Sequence, residues 1–219
     1  MMTIAAFSDS HSSSLPPIEE PVDVVCIVGD ISPLNIQRDQ KSMIMWFEVV
    51  FLKWCRETPA KLILLVPGNH DFLFESRYDY NEAIAYRKLE NKVKVLINES
   101  YTFDDVVFYG CPCCISPRGW AFISDKFYSV IPKCDVLICH QAPSIEKVGC
   151  SYPGLPWERD FGSRELAKKI WEINPRMVFC GHIHSGQHYA KDNDTEVYNV
   201  SLLDEDYTTQ RGVTWTNLE

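Results

Sequence analysis

Short, nearly uninterrupted apolar runs punctuate the chain at residues 3–7, 22–28, 62–66, 136–139 and 177–180. None shows the two-residue alternation of a half-exposed strand, so each predicts a strand covered on both faces. Residues 92–97, 101–109 and 196–200 are further strand-like stretches, and the strand pair around 98–105 predicts a hairpin. Helical periodicity falls between them. Residues 41–56 are apolar over most of the circumference, which predicts a well-buried helix ending before Pro59. Residues 79–91 are amphipathic, 163–173 open with an N-cap at Ser163 and stop before Pro175, and 120–128 predict a fourth helix. Alternating strands and helices predict an α/β protein with a mainly parallel sheet at the front of the chain. The hairpin adds an antiparallel part, so two mixed sheets packed together with helices outside satisfy both patterns. No linker-like stretch interrupts the chain, which predicts one domain over residues 1–219.

The residues directly after each apolar run carry the chemistry. Ser8-Asp9-Ser10-His11 comes after the first, Gly29-Asp30 after the second, and Pro67-Gly68-Asn69-His70-Asp71 after the third. His140 comes after the fourth, and Gly181-His182-Ile183-His184 after the fifth. Metal-capable side chains thus stand at the carboxyl end of every run, the edge at which open α/β sheets bind ligands. Taken singly, each piece has a plain structural reading: an Asp after a strand caps a turn, a His-x-His shares one face, and His140 satisfies a core. The joint pattern does not, because scattered caps would not gather five of the six histidines at one end of the strands. A cluster of Asp, His and Asn suits a pair of borderline first-row cations, Mn, Fe, Ni or Zn, better than a lone Mg. Two such ions about 3.5–4 Å apart can hold a nucleophile and neutralise phosphoryl oxygens, which is the need of phosphoester hydrolysis. Glycines 29, 68 and 181 let the backbone turn sharply beside these groups.

Charge narrows the partners. With 30 acidic against 21 basic residues the net charge is −9, which disfavours nucleic acid and anionic lipid in the absence of a basic patch. No apolar run reaches the eighteen residues of a membrane span, and the N-terminal stretch lacks the basic and apolar regions of a signal peptide. Nine cysteines raise the alternatives of disulfides or structural zinc. Several sit inside apolar runs, and the Cys111-Pro112-Cys113-Cys114 cluster lacks the second half of a tetrahedral zinc site. The expectation is a reduced, cytoplasmic protein.

The ordered blocks D-x-H, G-D, G-N-H-D, H and G-H-x-H, spanning residues 9–184, resemble the calcineurin-like metallophosphoesterase superfamily. That resemblance implies a four-layer αββα sandwich with a dinuclear site at one end of the two sheets. It implies that Asp9, His11 and His184 bind one metal and that Asn69, His140 and His182 bind the other, with Asp30 bridging both. His70 would not ligate; it would protonate the leaving oxygen or stabilise the phosphoryl charge during attack by a metal-bridging hydroxide. Asp71 would orient its neighbours, with a turn or helix cap as the rival reading. Stretches around Tyr109 to Pro112, Gly119 to Phe122, His140 to Pro143 and Gly181 to Gly186 are similar to compact metallophosphoesterase-domain proteins associated with hydrolysis of phosphodiesters, including cyclic nucleotides.

Two departures matter. Where the protein-phosphatase branch has a second Asp to pair with its catalytic histidine, this chain reads Gly29-Asp30-Ile31-Ser32-Pro33-Leu34-Asn35, which argues against that branch and leaves the partner of His70 open. Ser12 stands where many relatives have glycine, and its side chain is expected to narrow the site. Arg77, Arg118, Trp120, Trp157 and Arg159 lie in loop-rich stretches that could reach a substrate, though surface charge and packing explain each as well. The expectation is a manganese-type dinuclear phosphodiesterase acting on a small soluble substrate. The alternatives are a phosphomonoesterase of nucleotide or sugar phosphates and a metal-binding module without turnover.

Overall fold

The computed structural model describes residues 1–219 apart from Ser13 and Pro117. Its first half runs β1 (Met2–Phe7), β2 (Val22–Ile27), α1 (Gln40–Trp46), a π-helical turn (Phe47–Phe51), α2 (Leu52–Glu57), β3 (Ala60–Leu65), α3 (Tyr80–Tyr86) and β4 (Val93–Val95). The second half runs β5 (Glu99–Phe103), β6 (Val106–Cys111), β7 (Val136–Cys139), β8 (Cys150–Ser151), β9 (Arg159–Asp160), α4 (Arg164–Ile173), β10 (Met177–Cys180), β11 (Tyr189–Asp192), β12 (Thr195–Asn199) and β13 (Thr214–Leu218). One sheet has the order β13-β1-β2-β3-β4 and the other β11-β12-β10-β7-β6-β5. β1 to β4 pair in parallel, with β13 antiparallel on the edge. In the second sheet β6, β7, β10 and β12 are parallel, flanked by antiparallel β5 and β11. Both sheets are therefore mixed, as the apolar runs and the hairpin predicted.

Each central strand divides its side chains between two cores. In β1, Ile4 and Ala6 join Val24, Leu64, Ile138 and Phe179 in a layer between the sheets, while Ala5 and Phe7 face Phe47 and Phe51 outside the first sheet. On the outer side of the second sheet, Leu137, Cys139 and Val178 pack with Leu166 and Ile170 of α4. Helix, sheet, sheet and helix thus stack in four layers. Each fully buried aliphatic or aromatic side chain contributes about 1.5–3 kcal/mol, so the strands' near-continuous apolar character is what both faces require.

Some elements depart from expectation. The helix predicted over 41–56 contains a π turn in its middle. Met43, Phe47, Phe51 and Cys55 are buried at strict four-residue spacing, which would drift about 40° per step around an ideal α-helix; the wider turn takes up that drift. The helix expected over 120–128 is absent, and only Tyr128–Val130 forms a 3₁₀ turn. There the Ser124 N–H, which a helix starting at Trp120 would direct at the Trp120 carbonyl, donates to the Cys114 carbonyl (2.8 Å), and the Ala121 and Phe122 N–H groups are held by the Asn69 carbonyl (3.1 Å) and Glu75 Oε1 (2.8 Å). α3 is shorter than the predicted 79–91 and opens on Asp79, whose side chain accepts from the Glu82 N–H. The predicted hairpin turns at Asp104 and Asp105, both at positive φ, as a two-residue mirror-image turn needs. Ser163 caps α4 by accepting from the Leu166 N–H at 3.1 Å. The edge strands β11 and β13 and the β8–β9 pair were not predicted.

Candidate metal centre

Every predicted site residue leaves the carboxyl end of a strand of one sheet or the other. Asp9 and His11 follow β1, Asp30 follows β2, and Asn69 to Asp71 follow β3; His140 follows β7, and His182 and His184 follow β10. Asp9, His11, Asp30 and His182 all adopt positive φ, between 44° and 68°, a conformation disfavoured for residues with a β-carbon. Backbone bonds between neighbouring strand ends hold it: the Asp9 N–H donates to the Gly29 carbonyl (3.0 Å), and the Gly181 N–H to the His140 carbonyl (3.0 Å). Gly29 sits at φ +90°, and a β-carbon there would run into His140; one on Gly68 would run into the Asp30 carboxylate.

The side chains converge in overlapping groups, one of which joins His11, Asp30 and His70 within the first sheet. Asp9, His11 and His184 place their donor atoms within 4.8 Å of one another, as do Asp9, Asp30 and His140. Asp30 Oδ2 lies 3.3 Å from His140 Nε2, 3.7 Å from His11 Nε2 and 3.9 Å from His70 Nε2. His184 Nε2 is 3.4 Å from Asp9 Oδ1, and His140 Nε2 is 3.1 Å from Asn69 Oδ1. The His182 ring stands 5.3 Å from that of His140, centre to centre. The sequence-predicted residues are thus brought together, with Asp30 in the middle.

The environment fits cations. Asp9, Asp30 and His140 are almost wholly buried, and buried charges of this kind need an ion or a partner. Among the described residues, neither buried ring nitrogen of His11 has a hydrogen-bond partner. The rings of His140 and His184 are aimed by backbone carbonyls: Nδ1 of His140 donates to Val28 O at 2.7 Å and Nδ1 of His184 to Asp204 O at 2.9 Å. That leaves Nε2 of each directed at the carboxylates, the arrangement that orients a metal-binding histidine. Asp9 accepts from the hydroxyls of Ser8 (2.5 Å) and Ser201 (2.6 Å) and from the His182 N–H (3.1 Å).

Titration reflects the same crowding. Burial works against charge on His140, but the Asp30 carboxylate beside it overrides this and carries it up to about 10. Burial likewise opposes charge on His184, and Asp9 outweighs it, lifting the ring to about 9. Burial, reinforced for His182 by His140, brings His182 down to about 4, and burial brings His70 to about 4 despite the nearby Asp30. Without cations the cluster therefore stores protons next to its carboxylates, and binding a cation would release them.

Asp71 does not act as a side-chain helix cap. Its Oδ2 accepts from the N–H groups of Asp30 and Gly68, both at 2.8 Å. Its Oδ1 accepts from Ile31 N–H (3.1 Å), Ser32 N–H (3.0 Å) and the Ser32 hydroxyl (2.7 Å). Burial and the Asp30 carboxylate push it up to about 6, so it is still ionised at neutral pH, as five donors require.

Several residues outside the motif blocks also meet at the site. Gln37 Oε1 meets His70 Nδ1 at 2.6 Å and takes the place left open by the missing pairing Asp. Trp120 packs on the His70 ring at 4.2 Å, with Arg38 over Trp120 at 4.8 Å. Tyr207 stands edge-on to His11 and His184, at 5.2 and 5.3 Å. Cys114 lies against Asn69. These side chains come from loops with no repeated spacing, and only Trp120 and Cys114 belong to stretches noted from sequence. Of the other substrate candidates, Trp157 is exposed, as are Arg77, Arg118 and Arg159. His188 donates Nδ1–H to the Asn199 carbonyl at 2.9 Å, outside the cluster.

The family model described as "Calcineurin-like phosphoesterase" matches residues 2–186. The chain belongs to that family, whose members bind divalent cations and hydrolyse phosphoesters. The expected likeness to compact metallophosphoesterase-domain proteins is borne out as well. Human metallophosphoesterase domain-containing protein 1 is 25% identical over 91% of this chain and 66% of its own length, so the chain spans about two thirds of that relative. The UPF0046 protein K07C11.7 of Caenorhabditis elegans is 24% identical over 91% of this chain and 69% of its own. The solved phosphopantetheinyl hydrolase of Mycobacterium tuberculosis superposes with a TM-score of 0.57 at 15% identity, covering 94% of this chain and 90% of that one. At that identity the likeness is one of fold. Among the described residues no helix is long and apolar enough to cross a membrane.

Proposed function

We propose that this chain is a dinuclear metal-dependent phosphodiesterase of small molecules, with (cyclic) nucleotides as the leading substrate class. The observation that carries the reading is the buried Asp30 carboxylate, which takes part in two donor groups, one with His11 and His70 and one with Asp9 and His140, while Asp9 links the second to His11 and His184. Asp9, His11 and His184 would hold one cation and Asn69, His140 and His182 the other, with Asp30 between them. The His11 nitrogens, without a partner among the described residues, and the carbonyl-aimed His140 and His184 fit that assignment. Bound there, two divalent cations would neutralise phosphoryl oxygens and generate the nucleophile from water.

The chain's own groups do the rest. His70 is not needed as a ligand. With its Nδ1–H donated to Gln37, its Nε2 faces the centre and can exchange a proton with the leaving oxygen. A cleft of about 610 Å³ opens beside His11, lined by Ser10, Ser12, Leu15, Leu34, Tyr207 and Arg211 among others. Its size suits a small substrate, and Tyr207 and Trp120 flank the centre with ring faces that an organic group or a base can pack against. Arg211 is engaged, donating to the carbonyls of Gly186 (2.6 Å), Ser201 (3.3 Å) and His184 (3.4 Å). With the guanidinium that lines the cleft already bonded to carbonyls, the site favours a singly charged diester over a monoester dianion. We read residues 1–219 as one domain, since the layer between the sheets draws on Met2 and Leu218 alike. The nine free, buried cysteines suit a reduced, cytoplasmic setting.

The test is elemental analysis of the purified chain, followed by turnover of bis-para-nitrophenyl phosphate and of the monoester in Mn and in Ni. Two metals per chain with faster diester hydrolysis is the expected result. Faster monoester turnover would transfer the reading to a phosphomonoesterase, and metal loading without turnover of a broad panel would leave a binding module.

A further inference from the structure

One buried thiol beside the second donor group has no task in the reaction. Cys114 is wholly buried. Its Sγ and the ring nitrogens of His140 and His182 lie within 4.8 Å of one another, and Sγ is 3.9 Å from Asn69 Oδ1. Two donors sharing one ion, with bonds of about 2.1 Å for nitrogen or oxygen and about 2.3 Å for sulfur, stand about 3.6 Å apart at the tetrahedral angle and at most about 4.4 Å. The sulfur therefore meets Asn69, His140 and His182 at separations that small side-chain movements bring onto one ion.

Its direction is set by the backbone. The Cys114 N–H donates to the Phe122 carbonyl (3.0 Å), the Ser124 N–H to the Cys114 carbonyl (2.8 Å), and the Ala121 N–H to the Asn69 carbonyl (3.1 Å). This loop is stitched to the segment that carries Asn69. The neighbouring Cys113 turns to Asn98 instead, 3.8 Å from its Oδ1. Cys114's other polar contact, with the Pro112 carbonyl, is as long as that with Asn69, at 3.9 Å. Among the described residues the thiol thus makes only weak hydrogen bonds, while facing three metal-capable groups.

We propose that the Cys114 thiolate is a further ligand of the cation held by Asn69, His140 and His182, and that it biases this position towards a thiophilic metal. The inference rests on the dinuclear reading of the site. As the sulfur–metal bond forms, the thiol proton leaves to solvent. A thiolate draws an otherwise nitrogen and oxygen position towards zinc, cobalt or iron and away from manganese. The two cations would then differ in kind, because Asp9, His11 and His184 offer no sulfur.

The test is the absorption spectrum of the full chain loaded with Co(II). The unaltered protein should show the visible bands of protein-bound cobalt together with an intense near-ultraviolet thiolate-to-cobalt band. Cys114→Ser and Cys114→Ala should lose the near-ultraviolet band and keep the visible ones, while Cys113→Ser keeps both. Zinc affinity should fall at least about tenfold in Cys114→Ser, with manganese affinity changed less than about twofold. Visible bands without the thiolate band in the unaltered protein overturn the assignment whether or not the variants fold. A thiolate band that survives in a folded Cys114 variant overturns it too. No cobalt bands of any kind would instead remove the metal centre on which the proposal stands.

Discussion

Asp71→Asn tests most sharply how the centre is held. The carboxylate serves five donors, three on Oδ1 and two on Oδ2. An amide has one acceptor oxygen. In its better orientation it keeps the three Oδ1 bonds and turns its NH₂ towards the N–H groups of Asp30 and Gly68. Two buried donors are then left unsatisfied at about 1–3 kcal/mol each, so the variant should lose about 2–6 kcal/mol of stability. Those two N–H groups belong to the segments that carry Asp30 and Asn69, so cation affinity should weaken as well. Urea unfolding of the metal-free proteins gives the first quantity, and titration with Mn or Zn gives the second. A variant within about 0.5 kcal/mol of the parent would refute the reasoning, because it would mean that Asp71 does not act as a charged acceptor.

The division of roles in the centre predicts different failures. His70→Ala should lower turnover by about 10²–10⁴ while two metals per chain remain by elemental analysis, whereas Asp30→Ala should lose metal; equal metal loss in both would contradict the assignment. Gln37→Ala removes the acceptor that fixes the His70 ring and should cost about 1 kcal/mol in the transition state, a roughly fivefold loss of turnover. Gln37→Glu should move the His70-dependent limb of the pH–rate profile upward, since a carboxylate favours the imidazolium; an unmoved limb would show that this contact is idle. Far from the centre, Asp23 is held down to about 2 by Lys61, at 2.7 Å, and by the N–H and hydroxyl of Thr3. A lowered carboxylate contributes stability that is complete above its ordinary range, near 3.9, and disappears as pH falls through about 2. Because this ion pair is solvent-screened, Asp23→Asn should remove only about 1 kcal/mol of that acid-sensitive stability, read as a shallower fall of the thermal midpoint between about pH 4 and 2.

What the sequence revealed and what it hid divide along a physical line. Runs such as Val24 to Val28 and Leu62 to Val66 announce strands because both faces of each are buried, and nothing else tolerates so little polarity. Edge strands lack that signature: in β13, Trp215 and Asn217 face out, and the stretch reads as loop. The 120–128 segment has helical spacing, yet its Ser124 N–H is claimed by the Cys114 carbonyl, and its first residues are tied to Asn69 and Glu75, far away in sequence. The same holds for the site. Asp9, Asp30, Asn69, His140, His182 and His184 were legible because chemistry demands those side chains directly after strands. Gln37, Tyr207, Ser201 and the carbonyls of Val28 and Asp204 were not. Their roles depend on where a loop passes, or use a backbone atom that every residue has.

The placement of the centre also explains why it tolerates strain. The first sheet supplies Asp9, His11, Asp30, Asn69 and His70, and the second supplies His140, His182 and His184. The first sheet alone closes one donor group around Asp30, with His11 and His70, whereas the group that joins Asp30 to Asp9 and His140 needs both sheets. His140 reaches it only because the His140 ring donates to Val28 O across the seam, and Asp9 stays fixed because Ser201, beyond β12, donates to it. Four left-handed residues in so small a volume would each cost on the order of 1–3 kcal/mol. They persist because bonds from both sheets over-determine them: His11 N–H donates to Asp30 O and Asp30 N–H to Asp71 within the first sheet, and His182 N–H donates to Asp9 across the seam. Cations bound at that seam would add ties between the two halves, and their binding energy would appear as stability of the whole sandwich.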